Sequence, residues 1–129
     1  MFTHYFESLL KISYNLSWEV RSLRGIDQQY IDGVVKSIRQ TLPVHEIILF
    51  GSQARGDEKP DSDYDICVIA DQLQERKLIL LQKINKALIP YAYNLKDVLL
   101  YTQDEFIERA QSRSFERTIE REGVLIYKK

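Results

Sequence analysis

The chain alternates between stretches in which apolar residues recur every three or four positions and short runs that are apolar throughout. The first pattern predicts helices and the second predicts buried strands. An apolar stripe over residues 2–23 predicts an N-terminal amphipathic helix that stops near Gly25. A second helix is predicted between Asp27, which can serve as its N-cap, and Pro43. The inward-facing residues of this second helix are Ile31, Val34, Val35 and Ile38.

Short apolar runs predict four strands. They cover residues 44–50, 63–70, 93–101 and 124–127. A loop over 51–62, rich in Gly, Pro, Asp and Ser, separates the first two strands. Between the second and third strands a helix is predicted that Pro90 closes. Its apolar positions are Leu73, Leu80, Leu81, Ile84 and Leu88.

The last quarter of the chain predicts helix and then strand. Residues 102–105, Thr-Gln-Asp-Glu, have the spacing of a capping box. The helical region that begins there continues to Glu122, with a break near 112–114, and Gly123 is its C-cap. The predicted order is therefore α-α-β-β-α-β-α-β. It indicates an α/β (α+β) domain on a mixed sheet over residues 27–129, preceded by a helical extension over 1–26.

Composition adds few constraints. The 129 residues suit one compact domain, and the net charge of −1 gives no overall attraction to nucleic acid or membrane. The lone cysteine, Cys67, excludes an internal disulfide and any multi-cysteine zinc site, and its apolar neighbours predict a buried core position. No segment is apolar enough to span a bilayer, and the N-terminus lacks the features of a signal peptide. We therefore expect a cytoplasmic protein.

Candidate chemistry concentrates at the ends of the predicted strands. Asp63 and Asp65 are two apart at the start of a strand, so their carboxylates share one face and can converge on a pair of divalent cations. Gly51 and Ser52 end the preceding strand, where backbone N–H groups and a hydroxyl could hold phosphate oxygens if the two strands pair antiparallel.

Asp97 is a charge within an otherwise apolar strand. If the crossover makes its strand parallel to that of Asp65, a third carboxylate reaches the same site. Taken alone, each feature has a plainer interpretation. Asp63 and Asp65 could be a solvated loop and Asp97 an edge-strand charge paired with Lys96 or Lys86, while Gly51-Ser52 could be a turn. The agreement of order, spacing and strand placement favours the functional interpretation.

These residues resemble a known signature. Gly51-Ser52, ten intervening residues and then Asp63-x-Asp65 resemble the motif of the DNA polymerase β-type nucleotidyltransferase superfamily. The fuller string over residues 51–65, Gly-Ser-x-Ala-Arg-Gly-Asp-(three residues)-Asp-Ser-Asp-x-Asp, is similar to that of the minimal nucleotidyltransferases, called MNT. The resemblance runs from about Val44 to the C-terminus. It implies a nucleotidyltransferase fold, a mixed sheet flanked by helices, to which the N-terminal helix is an addition.

The resemblance also implies a role for each matching position. The Gly51 backbone and Ser52 would hold the triphosphate of ATP, and Asp63 and Asp65 would bind two Mg²⁺ ions. Asp97 would complete the catalytic metal site and help to activate the acceptor hydroxyl that attacks the α-phosphate. Arg55 could stabilise phosphate charge or could brace its loop by pairing with Asp57 or Asp61.

The resemblance further implies a partner. MNT proteins are typically antitoxins of helical HEPN-type ribonuclease toxins, which suggests transfer of AMP from ATP to a toxin tyrosine. Two alternatives remain: nucleotidyl transfer to a small molecule such as an aminoglycoside, and a non-catalytic binding module that neutralises its partner by contact. The aromatic-rich N-terminal helix could pack on its own sheet or form an oligomer or partner interface. The tyrosines are scattered, without the interleaved basic residues that would suggest stacking on nucleic acid, so no nucleic-acid surface is evident, although a local contact stays open.

Overall fold

The computed structural model describes residues 28–51 and 64–129. The described elements, in chain order, are α1 (Gln28–Thr41), β1 (Glu46–Phe50), β2 (Tyr64–Ala70), α2 (Lys77–Ala87), a 3₁₀ helix (Ile89–Asn94), β3 (Leu95–Thr102), α3 (Gln103–Ala110), α4 (Phe115–Glu122) and β4 (Val124–Lys128). The predicted helix over 2–23, the Asp27 cap and most of the loop over 51–62 lie outside these residues.

The four strands form one mixed sheet in the order β3-β2-β1-β4. β1 pairs antiparallel with both β2 and β4, whereas β2 pairs parallel with β3. Both pairings of β2 confirm the predicted topology. Every residue of β1 and β2 is buried, as expected for central strands that are covered on both faces.

Helices cover both faces of the sheet, because successive strand residues alternate between two apolar cores. On one face α1 and α2 pack through Ile31, Val34, Ile38, Leu80 and Ile84. On the other face α3 and α4 pack through Phe106, Ile107, Ala110 and Ile119, against Ile48, Phe50, Cys67 and Ile69. The fold is thus a three-layer domain, which confirms the predicted fold class.

Local signals predicted most helix ends. Thr102 and Glu105 form the predicted capping box, and the predicted break near 112–114 separates α3 from α4. Gly123 is the C-cap of α4, but its φ of −72° is one that any residue adopts. A glycine fits there because a Cβ would lie 2.4 Å from the Ile48 Cγ2 atom.

Three element starts differ from the prediction. The strand predicted from Val44 begins at Glu46. The helix expected to include Leu73 begins only at Lys77. The strand expected from Tyr93 begins at Leu95, because residues 89–94 form the 3₁₀ helix, with Pro90 in its first turn. Proline has a fixed φ and no N–H, and it suits such a position better than a strand. In the parts of the chain that the structure describes, every helix is too short or too polar to cross a bilayer.

Candidate active site

Two carboxylates lie side by side where β2 and β3 begin. In the parallel register Asp65 is opposite Asp97. Neighbouring strands are about 4.8 Å apart, and opposed residues of a parallel pair share a face. The Asp65 side chain is buried, with 9% of the residue exposed, whereas Asp97 is exposed. A ligand can therefore approach from solvent over Asp97 and reach Asp65 behind it.

An irregularity in β3 sets this pairing. Tyr64 is opposite Leu95, yet the next residue of β2, Asp65, is opposite Asp97. Lys96 is thus an extra residue, as in a β-bulge, a feature found frequently beside active sites. Without it, Lys96 rather than Asp97 would be opposite Asp65. The two adjacent polar residues, Lys96 and Asp97, interrupt the apolar pattern of the strand and are the only sequence signal of the bulge.

Gly51 closes the site from β1. Phe50 is opposite Asp65 in the antiparallel register. Gly51, the next residue, therefore lies at the end of the sheet where β2 begins. Its φ of +81° lies in the left-handed region that favours glycine. A Cβ built on Gly51 would lie 2.2 Å from the Asp65 Oδ2 atom. Only a glycine therefore lets the backbone pass this close to the carboxylate.

The charges of the site favour a cation. Two like charges on adjacent strands destabilise each other unless a positive charge lies between them. Within residues 28–51 and 64–129, Asp97 forms no ion pair, and in particular none with Lys96 or Lys86. β3 is an edge strand, as that alternative held, but among the described residues Asp97 is not paired with either lysine.

The other predicted site residues cannot be placed. Ser52, Arg55 and Asp63 lie outside the described residues, so the structure brings together Gly51, Asp65 and Asp97 of the predicted set. Among the described residues no group of three His, Cys, Asp or Glu side chains could hold a metal ion. The described part of the site is a pair of carboxylates, and Asp63 remains the predicted third member.

The Cys67 thiol and the Tyr101 phenol, under α3 and α4, stay protonated near neutral pH. Burial, and secondarily the charges of Glu116 and Glu46, raise the pKa of the Cys67 thiol far above its usual range. Burial followed by the charge of Glu116 raises the pKa of Tyr101 to about 12. A thiolate nucleophile or a phenolate base at these positions is therefore disfavoured near neutral pH. The carboxylate pair is the better candidate for chemistry.

An aromatic contact that was not predicted links α4 to the site. The ring of Phe115, the first residue of α4, meets the ring of Phe50 edge-on, with the centroids 5.6 Å apart. Since Phe50 pairs with Asp65, the start of α4 lies close to the carboxylates. Phe115 itself is 55% exposed. No periodic signal in the sequence marks this contact, because it joins residues 65 positions apart.

Comparison with known proteins gives a consistent result. A family model described as "Nucleotidyltransferase domain" matches residues 31–126. A protein of Methanocaldococcus jannaschii named "Putative protein adenylyltransferase MJ0604" is 31% identical over 84 residues, which are 65% of this chain and 79% of that protein. A crystal structure titled as a putative nucleotidyltransferase from Sulfolobus solfataricus superposes with a TM-score of 0.58 over 88% of each chain. Its sequence identity of 19% means that this likeness shows the fold alone.

Proposed function

The chain belongs to the nucleotidyltransferase domain family, and from this membership and the Asp65–Asp97 pair we propose that it transfers AMP from ATP to a tyrosine hydroxyl of a HEPN-type toxin. It would thereby act as the antitoxin. Support for a protein acceptor comes from the relative named as a protein adenylyltransferase. Support for the toxin partner is the MNT-like string over residues 51–65. The opposed carboxylates beside Gly51 are the single observation that carries the proposal.

The described residues fit a bound magnesium ion. Mg²⁺ prefers carboxylate oxygens, and Asp65 and Asp97 present two carboxylates on one face of adjacent strands. Gly51 leaves the space next to Asp65 Oδ2 that a side chain would fill. Asp65 and Asp97 would hold the metal, with Asp63 as a further ligand. When bound, the metal supplies positive charge that stabilises the attacking and leaving oxygens.

The protein groups would act by positioning. The Gly51 backbone and Ser52 hold the phosphates, and Arg55 adds positive charge there. Asp97, the exposed member of the pair, receives the proton of the acceptor hydroxyl. The hydroxyl oxygen forms a bond to the α-phosphorus in line with the bond that breaks, and pyrophosphate leaves with that bonding pair. AMP remains on the acceptor as a phosphodiester.

The test is transfer of label. The protein is incubated with ATP labelled on the α-phosphate, Mg²⁺ and the product of the neighbouring gene. Labelled AMP should appear on that product and should disappear with Asp65→Asn or Asp97→Asn. Asp32→Asn is the matched control, because Asp32 is an exposed carboxylate on α1, on the opposite face of the sheet.

Three results would contradict the proposal. Undiminished labelling by both site variants would show that the carboxylate pair is not used. Neutralisation of the partner without any label would indicate a binding module, and label found on a small acceptor such as an aminoglycoside would indicate the other class of transferase.

A further inference from the structure

Three exposed arginines lie on α4 and just before its N-terminus. Arg113, Arg117 and Arg121 follow one another at steps of four, and all three are exposed. With Ser114, Phe115 and Thr118 they line an open groove of about 600 Å³. We call these six residues the arginine face. Arg117 and Arg121 are about one helical turn apart, roughly 6 Å along the axis of α4, and Arg113 directly precedes the N-cap Ser114.

The arginine face is separate from the packed side of the helix. Glu116, Ile119 and Glu120 are the buried residues of α4. Within the described residues Arg113 and Arg117 form no ion pair, and Arg121 only approaches Glu122, at 3.9 Å. By contrast, Arg109 at the end of α3 donates to the Glu116 carboxylate at 3.1 Å. The charges of the arginine face are therefore available to a ligand.

The arginine face begins beside the carboxylate pair. Phe115 contacts Phe50, and Phe50 is opposite Asp65 in the sheet. A macromolecule seated along α4 would therefore lie at the end of the sheet that carries Asp97, which is two strands, or about 10 Å, from Phe50. A docking surface in this position can hold an acceptor whose hydroxyl must reach the site.

We propose that the arginine face docks an acidic segment of the acceptor protein; the inference rests on the proposed transfer of AMP to a protein. Each guanidinium can pair with a carboxylate through two parallel N–H donors. Carboxylates spaced by one helical turn on the partner match the spacing of Arg117 and Arg121 on α4. The net charge of −1 for the whole chain favours an acidic peptide of limited length over a long polyanion such as nucleic acid. The exposed ring of Phe115 adds an apolar contact at the end nearest the site.

The experiment uses the full chain and a defined probe. The probe is a fluorescein-labelled 16-residue helical peptide with glutamate at every fourth position, about 24 Å long as a helix. Its reference is the same peptide with glutamine at those positions. Anisotropy is followed at low ionic strength, where exposed charges are least screened. Binding of the glutamate peptide should be at least tenfold tighter than binding of the glutamine peptide.

The test variant is Arg113→Glu combined with Arg117→Glu, which should weaken binding at least tenfold. It should still fold, because glutamate at 117 completes a capping box with Ser114, the N-cap of α4. The matched control is Lys36→Glu combined with Lys86→Glu, which changes the net charge equally at exposed positions on α1 and α2. This control should bind the peptide within twofold of the wild type.

Each outcome decides the proposal. It is overturned if the wild type does not prefer the glutamate peptide, or if both double variants lose binding equally. It is also overturned if, in a competition experiment, an eight-nucleotide single-stranded RNA displaces the labelled peptide at a lower concentration than the unlabelled peptide does. Asp65→Asn separates this inference from the transferase proposal. That variant should bind the peptide as the wild type does while it loses label transfer. If the wild type binds the peptide but transfers no label, only the transferase proposal is refuted.

Discussion

Replacing Gly51 with alanine should damage the site in two separable ways. The φ of +81° costs an L-residue about 1–2 kcal/mol. The new Cβ would lie 2.2 Å from Asp65 Oδ2, so the buried carboxylate must move. Overpacking of this kind costs about 1–3 kcal/mol. Gly51→Ala should therefore lower the free energy of unfolding by about 2–5 kcal/mol.

A double-mutant cycle isolates the contact with Asp65. In an Asp65→Ala background the carboxylate is gone and only the backbone strain remains. Gly51→Ala should then cost about 1–2 kcal/mol. The difference between the two backgrounds, about 1–3 kcal/mol, is the coupling between the two positions. Urea denaturation of the four proteins measures it, provided that the slope of unfolding free energy against urea stays constant.

Gly33→Ala is the control for this cycle. A Cβ at Gly33 would also be too close to a neighbour, 2.3 Å from the Tyr91 hydroxyl oxygen. Tyr91, however, packs on the opposite face of the sheet from Asp65. The free-energy cost of Gly33→Ala should therefore be the same with or without Asp65→Ala. Equal costs of Gly51→Ala in the two backgrounds would refute the close approach of Gly51 to the Asp65 carboxylate.

Three further predictions follow from the described residues. Asp97→Asn should not lower the unfolding midpoint, because the residue is exposed and the change removes a like charge beside Asp65. It should slow label transfer about a hundredfold or more, as removal of a metal ligand does. An unaltered rate would exclude Asp97 from the chemistry. Cys67 should resist a disulfide reagent at pH 8 in the native protein and react at once in denaturant, because burial suppresses its thiolate, and rapid native reaction would contradict its buried position. Thr102→Ala should lower the free energy of unfolding by about 1 kcal/mol, because it removes half of the capping box. Thermal or urea unfolding measures the change, and a decrease smaller than a few tenths of a kcal/mol would show that the cap contributes little.

Sequence patterns were sufficient to predict the helix and sheet layers of this fold, because each helix or strand is specified mainly by residues close to it in the sequence. The capping box at Thr102 and the apolar runs of β1 and β2 depend on neighbouring residues, and the structure confirms them. The start of β3 was wrong by two residues, because Tyr93 and Asn94 continue the 3₁₀ helix that contains Pro90. Ala92 and Tyr93 are compatible with a strand or with a 3₁₀ helix, and the periodicity of so short a segment does not distinguish the two conformations.

The site was predictable in part. Alternation in β2 and a crossover between parallel strands predicted that Asp97 would reach the Asp65 strand, and the register places the two opposite each other. The bulge at Lys96 and the Phe50–Phe115 contact were missed, since each depends on how distant segments pair. The arginine spacing of α4 was visible in the sequence, but only the fold shows that it begins beside the carboxylates.

Metal binding by the carboxylate pair is the central claim, and a Mn²⁺ titration followed by electron paramagnetic resonance tests it most directly. Mn²⁺ substitutes for Mg²⁺ at oxygen ligands, and a non-hydrolysable ATP analogue would complete the site. The account predicts binding by the wild type and by Asp32→Asn, with at least tenfold weaker binding by Asp65→Asn and by Asp97→Asn. Equal Mn²⁺ affinity in all four proteins would contradict it.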